Sequence, residues 1–257
     1  MNTVEYEVRD RIGFITLNRP EKRNAMNEDL VRSLSSAFTK ASKDDTVKVI
    51  ILRANGEAFC SGADLGYLQE LQNFSFEDNM ADSTRLKELF LQIYTLNKVV
   101  IAQVEGHAIA GGCGLATVCD FIFAVPEAKF GYTEVKIGFI PAIVMVFLIR
   151  KIGDQKARQL LLSGNLIATE EALGLGLVTK VTGKTTIKED VLEFAAKLIK
   201  TNSTQAMTST KRMMAEVQSL PLSEALNYAA RMNADARGSD DCKKGIGGFL
   251  NKEKVEW

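Results

Sequence analysis

The sequence predicts an α/β fold in which strands and helices alternate through the first half of the chain and helices dominate the second. Three observations carry this. Apolar or alternating runs of strand length recur at residues 4–8, 13–17, 47–53, 99–104 and 120–125. Between them lie stretches with apolar residues at helical spacing, Leu30, Val31, Leu34, Phe38 and Ala41 in one and Leu86, Leu89, Phe90 and Ile93 in another. A two-residue period giving way to a 3.6-residue period marks strands succeeded by helices. The 257 residues are 46% apolar and 25% charged, an ordinary globular composition, and a chain of this length can bury a sizeable core. The order of elements is that of stacked units of two strands and a helix.

Taken in order, residues 4–8 and 13–17 read as a hairpin. Residues 18–25, Asn-Arg-Pro-Glu-Lys-Arg-Asn-Ala, form a loop, because Pro20 cannot donate to a ladder. Asn27 is placed to cap the first helix, with Glu28 and Asp29 in its first turn, where free N–H groups favour acceptors. After the strand 47–53, residues 54–65 are a glycine-punctuated loop, and residues 66–79 read as irregular. A helix follows over 82–96. The strand 99–104 leads through Gly106-His107-Ala108-Ile109-Ala110-Gly111-Gly112-Cys113-Gly114 into a short helix. Strands follow at 120–125 and 128–131. From Gln155 the pattern is helical, first over 155–162 and then over 169–174, with Thr169 as cap and Gly174 as stop. A short strand at 177–181 precedes three or four helices over 186–250. The chain divides into a core, residues 1–190, and a helical region, residues 191–257.

Composition excludes several functions. Lys plus Arg number 32 and so do Asp plus Glu, so no basic surplus draws the chain to nucleic acid. Residues 1–10 lack the apolar segment of a secretory signal. The longest apolar run, 137–149, is interrupted by Gly138 and Pro141 and is too short to span a bilayer. The cysteines, Cys60, Cys113, Cys119 and Cys242, form no Cys-x-x-Cys pair, and His107 is the only histidine, so no metal-ligand set exists. A cytoplasmic chain with free thiols, no metal, no nucleic-acid partner and no membrane partner is expected.

The stretch 106–114 is the candidate functional element. Glycine lets a ligand approach the backbone closely. The first N–H groups of a helix are unpaired and carry its positive pole, so such a turn can hold an oxygen that gains negative charge during a reaction. Glycines at a strand-to-helix turn also serve close packing. The Rossmann spacing is absent, and no phosphate-loop Lys-Ser/Thr follows. A Ser61–His107–Asp64 triad lacks a nucleophile elbow.

Four segments stand in the order and spacing of the crotonase superfamily, the enoyl-CoA hydratases and isomerases. They are Asn18-Arg19-Pro20 through Asn24-Ala25, Phe59-Cys60-Ser61-Gly62-Ala63-Asp64-Leu65, residues 106–114, and Ala128-Lys129-Phe130-Gly131-Tyr132-Thr133-Glu134-Val135-Lys136-Ile137-Gly138. The chain resembles that family from end to end, through Gly245-Ile246-Gly247-Gly248-Phe249-Leu250. The resemblance implies a crotonase-like spiral of ββα units with a C-terminal helical region that builds trimers, often paired into hexamers. It implies an acyl-CoA thioester substrate and no cofactor beyond the coenzyme A that the substrate carries. It also implies an oxyanion hole from the backbone N–H groups of Ala63 and Gly111.

Hydratases of the family use two glutamates around one water. Glu134 matches the second, whereas the first falls on Gly114. A lone glutamate is typical of the Δ3,Δ2-enoyl-CoA isomerases. The runs Gly111-Gly112-Cys113-Gly114-Leu115, Cys119-Asp120, Glu134 to Gly138, Pro141-Ala142-Ile143-Val144 and Asn79-Met80-Ala81-Asp82-Ser83 resemble bacterial methylglutaconyl-CoA hydratases. Those enzymes likewise carry glycine at the first position, and they interconvert 3-methylglutaconyl-CoA and 3-hydroxy-3-methylglutaryl-CoA in leucine catabolism. On this reading Glu134 is both base and acid, its pKa raised by a wall of Ile109, Phe139 and Ile140. Ala25, Ser61, Ala63, Asp64 and Leu65 match the family's contacts to the adenine and pantetheine of coenzyme A, mostly through backbone, and Lys22 and Arg23 are candidates for its phosphates. Phe249, with Lys243 or Lys244, is a candidate to close over the nucleotide, from this subunit or a neighbour. Glu105 and Asp120 are candidates for a second carboxylate; a distal carboxylate on the substrate would need a cation or several donors, and Tyr132 and Lys136 lie near in sequence. His107 and Cys113 read as structural.

Overall fold

The computed structural model describes residues 2–257. β1 (Val4–Arg9) and β2 (Ile12–Leu17) form an antiparallel hairpin. Its turn residues Asp10 and Arg11 both take positive φ, 50° and 64°, as a two-residue turn between twisted strands requires. A short 3-10 turn, Pro20–Lys22, leads to α1 (Glu28–Lys43), where the Asn27 side chain accepts the Leu30 N–H at 3.0 Å. Burying Leu30, Leu34 and Phe38 of α1 contributes roughly 1.5–3 kcal/mol each.

The next elements are β3 (Val49–Ala54), β4 (Ala58–Cys60), α2 (Leu65–Leu71), α3 (Phe76–Tyr94), β5 (Val99–Val104), β6 (His107–Ile109), α4 (Gly111–Thr117), β7 (Phe121–Ala124) and β8 (Lys129–Gly131). Then come α5 (Ala142–Ile152), α6 (Asp154–Ser163), β9 (Ile167–Ala168), α7 (Thr169–Leu175) and β10 (Lys180–Val181). Four helices close the chain: α8 (Ile187–Thr201), α9 (Thr204–Val217), α10 (Leu222–Gly238) and α11 (Asp240–Asn251).

β2, β3, β5 and β7 run parallel in a six-stranded sheet of order β1-β2-β3-β5-β7-β10. β3, β5 and β7 each continue into a short strand of a second sheet, order β4-β6-β8-β9. This is the repeated ββα spiral. Every residue of β2 and β5 is buried, as expected of parallel strands covered on both faces, with α1 and α8 among the covering helices.

Residues 66–79 are not irregular: they hold most of α2 and the start of α3. Both starts are set by caps. Asp64 accepts the Gly66 N–H at 2.9 Å, and Ser75 with Asp78 forms a capping box. α2 buries no residue, so it leaves no apolar period to read. Thr169 does not cap α7. Its hydroxyl faces the Val125 and Ala128 carbonyls in the interior, and Gly176, at φ 83°, ends the helix two residues beyond Gly174.

The last helices attach at the N-terminal ends of the parallel strands. Lys48, before β3, donates to the Ile199 and Asn202 carbonyls at 2.8 and 2.6 Å. Lys211 of α9 bonds the Lys98 carbonyl and Asp120, at the starts of β5 and β7. Arg11, at the start of β2, donates to the Trp257 carbonyl. α8 straddles the 190/191 division and buries Ile187, Val191 and Ala195 beside β3, β5 and β7, so it belongs with the core. Among the described residues no helix is long and apolar enough to cross a membrane, and no group of three or more metal-ligating side chains occurs.

Candidate active site

The C-terminal ends of the parallel strands gather four loops. Backbone bonds stitch the first two together. Met26 N–H donates to the Gly62 carbonyl at 2.7 Å, Asp64 N–H to the Met26 carbonyl at 2.8 Å, and Ser61 N–H to the Arg23 carbonyl at 3.1 Å. Ala63 lies between these bonds, and its own N–H donates to no protein group among the described residues. Gly111 opens α4, and its N–H is likewise free, as the first N–H of a helix must be.

The two donors belong to loops in direct contact. Gly62 has φ 94°, and a Cβ there would stand 3.0 Å from the Ala110 Cβ and 3.8 Å from the Gly111 nitrogen. A Cβ on Gly111 would stand 2.5 Å from the Met26 Cε, and one on Gly112 would strike the Cys60 carbonyl. Ala110 holds φ 50° and ψ −125°, a backbone that glycine normally adopts and that costs an alanine roughly 1–3 kcal/mol. The strain sits at the residue that aims the Gly111 N–H. Close packing and a pair of free donors are thus consequences of the same glycines.

Glu134 begins a 3-10 turn just after β8 and is 9% exposed. Its Oε2 is buried with no partner. Burial pushes its pKa up, against a hydrogen bond from its own backbone N–H. It lies within electrostatic reach of Cys113 and Tyr132, which places it beside α4. Phe139 follows closely, its N–H donating to the Glu134 carbonyl at 3.1 Å. Phe139 and Ile140 are 58% and 66% exposed, just after Gly138 at φ 75°. Tyr132 points into the core, its hydroxyl 2.7 Å from the Thr117 hydroxyl, and Lys136 is exposed. Burial pushes the Cys113 thiol up to about 12, so it is a neutral packing group.

The place of a side chain at Gly114 is filled with hydrocarbon. A Cβ there would strike the Val144 Cγ1 of α5 and stand 3.0 Å from the Phe90 Cε2 of α3, both residues being buried. Neither candidate for a second carboxylate takes that place. Gln103 holds Glu105 at 2.7 Å. Asp120 sits at the opposite end of the sheet, accepting the Val100 N–H and Lys211, each at 2.7 Å.

The coenzyme A candidates divide. Lys22, Ser61 and Leu65 lie on the rim with their side chains at least partly accessible, and Ala25 is buried with its carbonyl taken by Arg19 at 2.6 Å. The Asp64 side chain is not free for a ligand. Burial would raise its pKa, but bonds from Arg19 and from the Gly66 and Tyr67 N–H groups outweigh burial and hold it low. That commitment also removes it from any triad with His107, which is exposed at the start of β6. Phe249 is 83% exposed on α11, whose C-terminal extension meets the N-terminal edge of the sheet. Lys244 turns to the Glu256 carbonyl and the Trp257 ring.

Arg19 and Asn24 were missing from the candidates. Asn24 is fully buried at φ 53°, its side-chain amide donating to the Asn55 and Ala58 carbonyls while its Oδ1 accepts the Arg19 N–H. The signal was an asparagine in a loop, the side chain that best tolerates a left-handed backbone after glycine. Two cavities lie elsewhere. One of about 1220 Å³ lies among α9, α10 and α11, and one of about 480 Å³ among α3, α5 and α9; neither is lined by Ala63, Gly111 or Glu134. Chemistry follows the donors and the buried carboxylate, and neither volume contains them.

The profile of the enoyl-CoA hydratase/isomerase family matches residues 7–257. The chain is 32% identical to the 2,3-dehydroadipyl-CoA hydratase of Escherichia coli K12, covering 96% of this chain and 95% of that protein. It is also 32% identical to the mitochondrial enoyl-CoA hydratase of Pongo abelii, covering 96% and 83%. A crystal structure of an enoyl-CoA hydratase/isomerase from Marinobacter aquaeolei matches with TM-score 0.91 at 31% identity, covering 100% of this chain and 99% of that one.

Proposed function

The chain belongs to the enoyl-CoA hydratase/isomerase family, and from that premise we propose that it is a hydro-lyase acting on an α,β-unsaturated acyl-CoA with a single glutamate. The thioester oxygen accepts the Ala63 and Gly111 N–H groups. Glu134 takes a proton from water as the water oxygen bonds to C3, and the C2–C3 π pair moves toward the thioester as an enolate. Glu134 then returns the proton to C2, completing addition of H and OH, and elimination runs the same steps in reverse. Preorganised donors in a dry site are worth roughly 2.7–4 kcal/mol each, and positioned acid–base groups about 10²–10⁴ in rate. The observation that carries the reading is Glu134 itself: a buried carboxyl with an unpartnered oxygen, its pKa raised, beside the helix that presents a free N–H.

The acyl group we propose is 3-methylglutaconyl, on the resemblance of residues 111–115, 134–138 and 141–144 to the methylglutaconyl-CoA hydratases. Ser61, Leu65 and Lys22 on the rim, with the backbone of Ala25, Ala63 and Asp64, would meet coenzyme A. We also propose a homotrimer or a dimer of trimers. Leu222, Leu226, Ile246, Phe249 and Leu250 are exposed on the last two helices, and Phe249 would serve a neighbour's nucleotide. A second reading, Δ3,Δ2-enoyl-CoA isomerase, is favoured by the hydrocarbon at Gly114, since one carboxylate suffices to carry a proton from C2 to C4.

The test is absorbance of the conjugated thioester, with product mass, on 3-methylglutaconyl-CoA and on a trans-3-enoyl-CoA. Loss of conjugation with gain of water in the first supports the hydratase. Gain of conjugation without mass change in the second alone replaces it with the isomerase.

A further inference from the structure

We propose that Arg19 is a positioning residue of the oxyanion hole, holding the Ala63 N–H on the substrate carbonyl by a two-pronged grip on Ala25 and Asp64. The proposal rests on the reading of Ala63 as a donor to the thioester. The Arg19 Nη1 donates to the Ala25 carbonyl at 2.6 Å and Nη2 to the Asp64 Oδ2 at 3.0 Å. The Arg19 and Asp64 side chains are only 13% and 11% exposed. The other Asp64 oxygen accepts the Gly66 N–H, which starts α2. Arg19 is held in turn through Asn24, whose amide reaches the Asn55 and Ala58 carbonyls on either side of the turn into β4.

These bonds close a ring around one peptide. Arg19 grips Ala25 and Asp64, and Met26, next to Ala25, pairs with Gly62 and Asp64 on either side of Ala63. Ala63 has no side-chain bond of its own and follows Gly62, the most permissive residue for backbone rotation. The direction of its N–H therefore depends on what fixes its neighbours. Donor direction matters because hydrogen bonds weaken steeply as the angle falls toward 120°, and an oxyanion hole works by being set before charge develops. A guanidinium is suited to this grip because its planar fork spans two acceptors at once, whereas an ammonium is a point charge on a flexible stem.

Exchange of the C2 proton of butyryl-CoA for deuterium, followed by mass, isolates enolate formation from hydration. Wild type, Glu134→Gln, Arg19→Lys and Arg19→Ala are compared, the last with and without guanidinium ion at non-denaturing concentration. Exchange by wild type that is lost in Glu134→Gln supports the underlying reading; exchange that ignores Glu134 overturns that reading and the proposal with it. With Glu134-dependent exchange in hand, Arg19→Ala is expected to slow the saturated rate by roughly 10–100-fold, short of the 10²–10³ typical for deleting a donor. The half-saturating concentration should move by less than about threefold, the pattern of an interaction lost only in the transition state. Arg19→Lys should fall between, and guanidinium ion should restore part of the rate in Arg19→Ala alone. If Arg19→Ala fails to fold, Arg19→Lys decides. A folded Arg19→Lys at the wild-type rate, or a rise in half-saturation matching any loss of rate, overturns the proposal.

Discussion

Replacing Gly114 by alanine should destabilise the protein even though alanine is the better helix former. In an open helix the exchange would gain about 1 kcal/mol. Here the new Cβ strikes the Val144 Cγ1 and stands 3.0 Å from the Phe90 ring, and both neighbours are buried in packed helices that cannot turn away. Overpacking of this kind costs typically 1–3 kcal/mol. The opposing contributions leave a net loss of up to about 2 kcal/mol, or a fall in Tm of up to about 8 °C for a chain of this size. Val144→Ala alone removes two buried methyl groups and should cost roughly 1.5–3 kcal/mol. The double variant should be less destabilised than the sum by about 1 kcal/mol or more, because the alanine Cβ enters the space the valine leaves. Urea denaturation of all four proteins at one protein concentration measures the cycle. A more stable Gly114→Ala, or strict additivity, would refute the claim that Val144 occupies this place.

Glu134→Gln should lower turnover of the accepted thioester by roughly 10²–10⁴ with coenzyme A thioester affinity retained, measured by steady-state kinetics and calorimetry. The same variant should be more stable than wild type at neutral pH. The folded pKa of Glu134 is raised by burial, so its contribution to stability is fully present below the ordinary value of 4.5 and is lost as pH rises through the folded value. Melting curves at pH 7 and pH 4 should therefore show the advantage of glutamine shrinking in acid. Gly62→Ala should abolish turnover and lower stability together, since φ 94° and a Cβ 3.0 Å from Ala110 separate the loops that carry both donors; wild-type rates would contradict the site geometry. Lys48→Met should cost about 1.5–3 kcal/mol by thermal or urea melts, as the Ile199 and Asn202 carbonyls lose a charged donor.

Local rules carried much of this protein. The two-residue and 3.6-residue periods located β2, β3, β5, α1 and most of α3, because each element must turn an apolar face to the core within its own few residues. The Asn27 cap was legible because donor and acceptor lie three residues apart. The start of α4 at Gly111 was legible too, as a helix following paired glycines.

Where the failures fell, the deciding contact was distant in sequence or the apolar signal was missing. α2 buries nothing, so no period announced it. Thr169 looks like a cap until the Val125 and Ala128 carbonyls, more than forty positions away, claim its hydroxyl. The Asp64 carboxylate is taken by Arg19, forty-five positions away, a partner that no spacing along the chain announces. Gly114 reads as a missing glutamate; Val144, thirty residues on, shows the place filled. Spacing along the chain can nominate a residue for chemistry. What surrounds that residue is set by non-local packing, because burial, hydrogen-bond partners and free volume come from segments that meet only when the chain is folded.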